Sequence, residues 1–339
     1  MTEPKTRRGK VTIRDVAADA GVSTAAVSKV LRNAYGVSDT LRGKVLKSIE
    51  KLGYRPSTAA RGMRGRTYSV GMLLVEMHNP FVPYIVGGAK EALHKAGYKA
   101  LIGVGEAEEA IEGSLIDSMI DLQMDGLLLV TPRLPSEVLS RYAAQSPTVV
   151  IGHHEDRMDA FDTVNSDDRL GARMAVEALL ARGCRDVQMI SQPTAGSSRE
   201  VFDVRERGYL EVMAEAGLSD RTRIWRVGER RYRPGQSVNA FLDQAQLPDG
   251  LFCWSDIHAI EIMNAAFERG IPIPERLLVV GYDNSPVAAM PMIGLSSIEQ
   301  RGTTLGELAA KALLSRIGGR TAPEHLLVRP ELVVRRSLG

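Results

Sequence analysis

The chain has 339 residues, of which 44% are hydrophobic and 25% charged, and it contains no apolar stretch long enough to cross a bilayer. The basic N-terminus, MTEPKTRRGK, is not followed by the apolar segment of a secretory signal, so we expect a cytoplasmic protein that does not bind membranes. The net charge of +2 is unevenly divided, because residues 1–66 carry +10 and the remainder −8. A small basic segment before a mildly acidic body is typical of a chain that binds nucleic acid with one part.

The segment 11–33 predicts two short helices joined by a tight turn. Thr12 can cap the first helix, and Asp15 three residues later completes a box-like start. Gly21 supplies the turn, and Ser23 can cap the second helix. The apolar positions expected to face inward are Ile13, Val16, Ala17, Ala20, Ala26, Val27 and Val30.

A third helix is predicted between a cap at Ser38 and a stop at Gly53. Its inward positions would be Leu41, Val45, Ile49 and Leu52. Three short helices with this turn form a helix-turn-helix unit, which binds DNA. A basic disordered tail is one alternative, and the apolar periodicity argues against it. A three-helix scaffold without a DNA role is another, and the charge of the segment argues against that.

The outer face of the second predicted helix carries small and basic side chains, which permit a close approach to the major groove. Lys29 can reach guanine O6 and N7, and Ala25 can touch a thymine methyl group. Thr24 and Ser28 can form hydrogen bonds with bases or phosphates. The sequence therefore predicts that this helix reads base edges.

The segments TIRDVAADAGVSTAAVSKVL and VSDTLRGKVLKSIEKLGYRPSTAARGMR resemble the head of the LacI/GalR family of bacterial transcription regulators. The resemblance implies that Thr24, Ala25 and Lys29 occupy the base-reading positions. The family usually has Asn-Gly after the recognition helix, where this chain has Arg32-Asn33, and Arg32 could add a phosphate contact. Further DNA contacts are expected at Thr12, Ser23, Ser28, Tyr54, Ala60 and Met63.

Residues 56–66, PSTAARGMRGR, predict either a flexible linker or a short helix that is marginal alone. In the resembling family this segment is a hinge helix that becomes ordered on operator DNA and wedges a leucine into the minor groove. Met63 holds that position and can act as an apolar wedge. Gly62 lowers helix stability by about 1 kcal/mol relative to alanine, so we expect a hinge that is disordered without DNA. A plain tether is the alternative.

From residue 69 onward, apolar strands alternate with amphipathic helices, which predicts parallel sheets covered by helices. About 270 residues suit two lobes better than one core, and the last helix is expected to cross back to the first lobe. The helices are predicted at about 81–96, 107–123, 135–145, 168–183, 200–217, 234–245, 256–270 and 303–318. The predicted fold class is an all-α helix-turn-helix head plus a two-lobed α/β body. The predicted domains are a DNA-binding head (1–55), a hinge or linker (56–66) and an effector-binding and dimerisation body (67–339).

In open α/β sheets, ligands bind at the carboxyl ends of the strands. These ends carry hydrogen-bonding groups and aromatic rings, which a sugar-like ligand requires, although an ordinary loop or capping role is an alternative for each residue alone. The candidates are Asn79, Phe81, Thr131, His153, Ser166, Arg199, Arg205, Trp254, Ser255, Asp283 and Gln300. The body also resembles the family's effector domain, itself similar to periplasmic sugar-binding proteins, through NPF, RERGY, SD and GYDN. The resemblance favours Asn79, Phe81, Arg205, Ser255, Asp283 and Gln300.

The sequence indicates where the effector binds more clearly than it indicates the chemical class of the effector. His153 stands where many relatives carry an aspartate, so a histidine acceptor could serve a hydroxyl-rich ligand. Arg199 and Arg205, with ERRYR at 229–233, could favour a carboxylate or phosphate, or could be solvated surface charge. We therefore expect a small sugar or sugar acid between the two lobes.

The two cysteines, Cys184 and Cys253, lie in apolar segments without metal-ligand spacing, so we expect buried free thiols. The dinucleotide fingerprint, the Walker sequence and the GxSxG elbow do not occur in the sequence. HHED at 153–156 invites a metal interpretation, but no second cluster at ligand spacing supports it. The sequence therefore predicts no catalytic residues, metal or cofactor.

By resemblance, we expect a homodimeric repressor that binds a pseudo-palindromic operator of double-stranded DNA. Helices near 81–96 and 107–123 would carry the dimer contact, and no tetramerisation heptad follows ELVVRRSLG. A sugar-acting α/β enzyme with an appended DNA module is an alternative from another class. A sugar-binding transport receptor is disfavoured because a secretory signal is not found.

Overall fold

The computed structural model describes residues 11–31, 34–55, 65–154, 159–193, 200–227 and 238–339. The chain divides into two compact units, one ending at Thr67 and one running from Tyr68 to Gly339. The described residues of the first unit, here called the head, are all-α, and the second unit, the body, is α/β. Across the described ranges, no helix is both long enough and apolar enough to cross a membrane.

The head contains the three predicted helices, α1 (Ile13–Ala20), α2 (Thr24–Leu31) and α3 (Asp39–Leu52). Each helix contributes apolar side chains at helical spacing to one small core. The buried members of this core are Val16, Ala17, Val27, Val30 and Val45, with Ile13, Ala20, Leu41, Ile49 and Leu52 packed around them. The predicted inward faces of α1 and α3 are confirmed.

The second and third helices begin at serine caps, as the sequence predicts. The Ser23 hydroxyl accepts a hydrogen bond from the Ala26 amide at 3.1 Å, and the Ser38 hydroxyl accepts one from the Leu41 amide at 3.3 Å. Each cap satisfies one of the amides that the first turn of a helix leaves unpaired. The turn between α1 and α2 is made at Gly21, whose φ of 65° lies in the left-handed region that favours glycine.

The body alternates strands and helices along the chain. In order, its elements are β1 (Ser69–Leu74), α4 (Val82–Lys95), β2 (Lys99–Val104), α5 (Glu109–Asp121), β3 (Gly126–Val130), α6 (Ser136–Ala143), β4 (Thr148–Ile151), β5 (Asp162–Ser166), α7 (Asp168–Ala181), β6 (Val187–Ser191), α8 (Val201–Glu215), β7 (Arg223–Arg226), α9 (Val238–Leu242), β8 (Gly250–Cys253), α10 (Asp256–Glu268), β9 (Leu278–Tyr282), β10 (Ser296–Glu299), α11 (Gly302–Ile317), β11 (His325–Val328) and β12 (Glu331–Val333).

These strands form two six-stranded sheets, one for each lobe. The first sheet has the order β11-β5-β4-β3-β1-β2 and is parallel throughout. The second has the order β12-β10-β9-β8-β6-β7 and is parallel except for β12, which pairs antiparallel with β10. The central strands are buried on both faces because helices cover both sides of each sheet. The predicted fold class is therefore confirmed.

The chain returns to the first lobe after β10, because α11 packs on α4 and β11 joins the first sheet. The two helices approach closely at Gly88 and Gly306, where an added Cβ would collide with the Thr303 and Ile85 carbonyl oxygens. The prediction that the last helix crosses back is confirmed. The buried apolar face of α4 is consequently covered by α11 of the same chain. Tyr84 on α4 is exposed, and the partner contact expected at this helix stays a prediction.

Three other predictions have different outcomes. Cys184 and Cys253 are buried free thiols, as expected, and burial raises the pKa of Cys184 to about 11. The helix predicted near 234–245 is observed only as α9, and the residues just before α9 lie outside the described ranges. The predicted hinge at 56–66 lies almost wholly outside them as well.

Candidate functional site

Helix α2 separates a buried face from an exposed face of different chemistry. Val27 and Val30 are buried in the core of the head. Thr24, Ala25 and Lys29 are exposed, and the side chains at this surface are short apart from the lysine. These three residues form one continuous surface without a bulky apolar group, which suits close approach to a groove of DNA. The half-buried residue Ser28 and the exposed cap Ser23 lie at its margins.

Two further predicted DNA contacts flank this surface. Thr12 is exposed, and its amide and hydroxyl donate to the Asp15 carboxylate at 2.7 and 2.8 Å. These bonds lower the pKa of Asp15 below its usual value, the backbone bond contributing most. Tyr54 is half-buried against the core of the head. Arg32, Ala60 and Met63, also predicted to contact DNA, lie outside the described residues.

In the body, a cleft lies between the lobes at the carboxyl ends of the strands. Its volume, counted with the open solvent at its mouth, is about 820 Å³. The structure brings together most of the residues predicted to contact the effector. Those that line the cleft are Asn79, Phe81, Thr131, Ser166, Arg205, Trp254, Asp283 and Gln300.

Asp283 is tied to both lobes by neutral amides. Its Oδ2 accepts from Asn79 Nδ2 at 3.0 Å, and its Oδ1 accepts from Gln300 Nε2 at 2.5 Å. The Phe81 amide donates to Asn79 Oδ1 at 2.9 Å, which fixes the orientation of the asparagine amide. Burial raises the pKa of Asp283 to about 8, against the opposing charge of Arg205. This carboxyl group is thus shielded from water and its only direct hydrogen bonds among the described residues come from uncharged groups.

Arg205 is buried inside the body and paired with Asp168. Its Nε and Nη2 both donate to Asp168 Oδ1 at 2.7 Å, and Nη1 donates to the Trp254 carbonyl at 2.5 Å. The guanidinium carbon lies 3.5 Å from the centroid of the Tyr282 ring. Asp168 also contacts His154 Nε2 at 2.8 Å. Burial would raise the pKa of Asp168, but Arg205 and His154 together hold it below its usual value.

Two predicted contacts do not reach the cleft lining. The ring of His153 is buried and its Nε2 lies 2.9 Å from Ser136 Oγ, inside the first lobe. The side chain of Asn165 holds the His153 backbone at 3.2 Å and 2.7 Å, which turns the ring away from the cleft. Ser255 is buried against His258 Nδ1 at 3.0 Å. Arg199 lies outside the described residues.

The cleft also contains charged residues that sequence reasoning missed. Arg133 of the first lobe forms an ion pair with Glu200 of the second, and its guanidinium lies 5.7 Å from the Phe202 ring. Glu76, shortly after β1, is half-buried at the cleft. Asp168 could have been noticed because it opens a helix immediately after β5. The pairing across the lobes carries no sequence signal.

Some buried polar atoms at the cleft have no hydrogen-bond partner among the described residues. They are Ser166 Oγ, Trp254 Nε1 and Arg133 Nε. A buried polar atom without a partner costs about 1–3 kcal/mol. Unsatisfied groups of this kind are therefore expected where a ligand or ordered water supplies the missing bonds.

Two family models match the chain. Residues 12–57 match "Bacterial regulatory proteins, lacI family", and residues 176–338 match "Periplasmic binding protein-like domain". The HTH-type transcriptional repressor PurR of Erwinia tasmaniensis is 32% identical over 332 residues, covering 96% of both proteins.

Solved structures show the same architecture. The transcriptional regulator CelR in complex with cellobiose is 27% identical, with a TM-score of 0.70 over 96% of this chain and 99% of that one. The lac repressor dimer bound to operator and the anti-inducer ONPF is 21% identical, with a TM-score of 0.80 over 97% of this chain and 99% of that one. The second likeness shows a shared fold.

Proposed function

The chain belongs to the lacI family of bacterial regulatory proteins, and from that premise we propose that it is a homodimeric repressor controlled by a sugar. In this proposal the head binds operator DNA in the cytoplasm, and the effector binds in the cleft of the body. The observation that carries the DNA role is the exposed, basic and otherwise small-residue face of α2 on a capped three-helix core.

The exposed face of α2 supports direct reading of the major groove. Lys29 has the length and charge to donate to guanine O6 and N7. Thr24 and Ala25 offer a hydroxyl and a methyl group to neighbouring bases. Two heads related by a two-fold axis would read a pseudo-palindrome whose half-sites lie about one helical turn, or roughly 10 base pairs, apart.

The edge of the first lobe supports dimer formation. Strand β2 ends the sheet, and its Leu101 and Ile102 are about half exposed. Tyr68 and Leu122 are exposed to a similar degree. We propose that a second copy of the chain covers this edge and these side chains in a two-fold dimer.

Charge in the cleft supports a sugar over a sugar acid. Both guanidinium groups are already paired with carboxylates, Arg205 with Asp168 and Arg133 with Glu200. An added carboxylate or phosphate would therefore have to compete with these carboxylates for both guanidinium groups. Hydroxyl groups suit the carboxylate and amide partners, and aromatic rings offer an apolar surface to a sugar ring. The CelR structure, described as a cellobiose complex, is consistent with this choice.

Regulation would follow from bonds that cross the cleft. Asn79 to Asp283 and Arg133 to Glu200 join the two lobes in this form. A ligand changes operator affinity only if it prefers one arrangement of the lobes. We propose that the effector replaces or reinforces these bonds and thereby shifts the arrangement of the paired heads.

The test is a fluorescence-anisotropy titration of the full chain on its own upstream DNA at two salt concentrations, with a shuffled duplex of equal length as control. We expect tight binding to the upstream fragment alone, and a shift on adding one member of a panel of sugars, sugar acids and purines. Equal binding to both duplexes would contradict the repressor proposal. A response to a purine or a sugar acid alone would contradict the proposal that the effector is a sugar.

A further inference from the structure

Among the residues that the structure describes, the charged side chains of the cleft do not balance. The carboxylates that line it are Glu76, Asp168, Glu200 and Asp283, and the guanidinium groups are Arg133 and Arg205. Two of the carboxylates form ion pairs with the arginines: Asp168 with Arg205, and Glu200 with Arg133. Among the described residues, neither Glu76 nor Asp283 forms a salt bridge. The cleft therefore presents two acidic groups for which the described part of the body supplies no paired cation.

The geometry at Asp283 indicates which partner is missing. A carboxylate offers about four acceptor positions, and Asn79 and Gln300 each donate to one oxygen. The asparagine amide cannot simply reverse, because its oxygen accepts from the Phe81 amide. Acceptor positions thus remain on Asp283, and a further N–H donor at the cleft would complete its shell.

The donor that this environment favours is a charged one. An ionised carboxylate is costly to bury without a counter-charge, and hydrogen bonds from an ammonium group are about twice as strong as neutral ones. Arg205 is near, but its donors are directed to Asp168 and the Trp254 carbonyl. Burial raises the pKa of Glu76 as well as that of Asp283, in both cases because the charged form lacks solvation.

We propose that the effector carries a protonated amine, that the Asp283 carboxylate binds this amine, and that Glu76 adds a second negative charge to the same cleft. In chemical class the effector is an amino sugar. The inference rests on the proposed function, which makes the effector a sugar, and it adds that this sugar carries a positive charge. The rings of Phe81 and Trp254, which line the same cleft, favour a cation further.

The experiment is isothermal titration of the full chain with matched trios: glucosamine, glucose and glucuronate, then galactosamine, galactose and galacturonate. Putrescine and spermidine serve as amines without a sugar ring. We expect one amino sugar to bind about tenfold or more tightly than its neutral parent, and the uronates not to bind.

The inference is overturned if a neutral sugar or a uronate binds as tightly as its amino counterpart, or if none of these amines binds at up to about 10 mM. Binding of the polyamines but not the amino sugars would overturn the sugar class. Operator binding is measured separately. Amine binding without operator binding would contradict the proposed function alone, whereas an operator response to a neutral sugar would contradict the inference alone.

Matched variants localise the effect. Asp283→Asn keeps the shape, and asparagine tolerates the positive φ of 110° at this position. We expect it to abolish the preference for the amino sugar over its neutral parent. Glu275→Gln removes an exposed carboxylate away from the cleft and should leave the preference intact. Equal preferences in the two variants would exclude Asp283 as the amine site.

Proton release supplies a second readout. Burial raises the pKa of Asp283 to about 8, so we expect an ammonium ligand to displace a proton from this carboxyl group when it binds near neutral pH. Amine affinity should therefore rise between about pH 6 and 7, and titrations in two non-amine buffers should show proton release. The charged groups that act on Asp283 are Arg205 and Asp256. Glu76, Arg133, Asp168 and Glu200 line the same cleft, and Glu299 and Arg301 line a second pocket that Asp283 also borders. Asp283→Asn should remove the proton release, and its persistence would assign the release to another of these groups.

Discussion

The head and the body place their candidate binding residues in opposite ways. In the head, the residues proposed to read DNA are near neighbours on one helix, and they are exposed because a small core needs only the other face of that helix. In the body, the cleft is assembled from strand ends far apart in the chain, as Asn79 and Asp283 show, being 204 positions apart. Exposed charged side chains in the head are available to a binding partner, whereas most buried charged side chains of the cleft form ion pairs with other residues of the body.

The largest expected effect comes from breaking a charge pair in the body. Arg205→Ala leaves Asp168 buried without its arginine partner, which should reduce the free energy of unfolding by about 3–5 kcal/mol. Denaturant unfolding of the full chain measures this loss. Lys311→Ala removes an exposed pair with Glu307 and should cost below about 1 kcal/mol. Similar losses of stability in both variants would mean that burial does not make the Arg205–Asp168 pair more important for stability than an exposed pair.

In the head, removing an exposed charge should change function and leave stability alone. We expect Lys29→Ala to weaken binding to the upstream operator about tenfold or more, with a smaller loss on shuffled DNA, because the lysine reads a base. Lys44→Ala, another exposed lysine on α3, should weaken binding to both duplexes alike. An equal loss on both duplexes for Lys29→Ala would contradict its base-reading role.

A mildly acidic pH should affect the stability of the body through His258, a group that the head does not have. Burial lowers the pKa of His258 in the body to about 4, so the folded body takes up fewer protons than the unfolded chain. The contribution of this histidine to stability is then lost as pH falls below the unfolded value, by about 2 kcal/mol between pH 6.5 and 5. Asp283 and Glu112, whose pKa values burial raises to about 8 and about 7, act in the opposite sense. The head contains no histidine. The change in the free energy of unfolding between the two pH values should therefore be more favourable in His258→Asn than in the unaltered chain by about 2 kcal/mol, and an equal change in both proteins would exclude this role for His258.

The smallest expected effect lies at the cap of α3. Ser38→Ala removes the acceptor for the Leu41 amide and should destabilise the head by about 1 kcal/mol. Hydrogen exchange in the full chain should show faster exchange in α3 and no change in the body. Ser38→Asp restores an acceptor at the helix N-terminus and should recover the protection. Faster exchange in the body as well would mean that the two units are coupled.

Much of the architecture was determined by the sequence alone, because its causes are local. Side-chain periodicity and serine caps specified the three helices of the head to within a residue or two. Alternation of apolar strands and helices specified two parallel-sheet lobes, and the rule that ligands bind at strand ends located most of the cleft residues. Each of these inferences depends on residues within a few positions of one another.

The tertiary structure decided how those residues are used. From the sequence, Arg205 could favour an anionic ligand or be solvated surface charge, but folding buries it and places Asp168 beside it. His153 follows β4 and was expected at the cleft, but Asn165 holds its backbone so that the ring enters the lobe. The physical reason is the same in both cases. A buried charge or polar group must find a partner, and which partner lies within reach depends on strands brought together by the fold, not on their spacing in the chain.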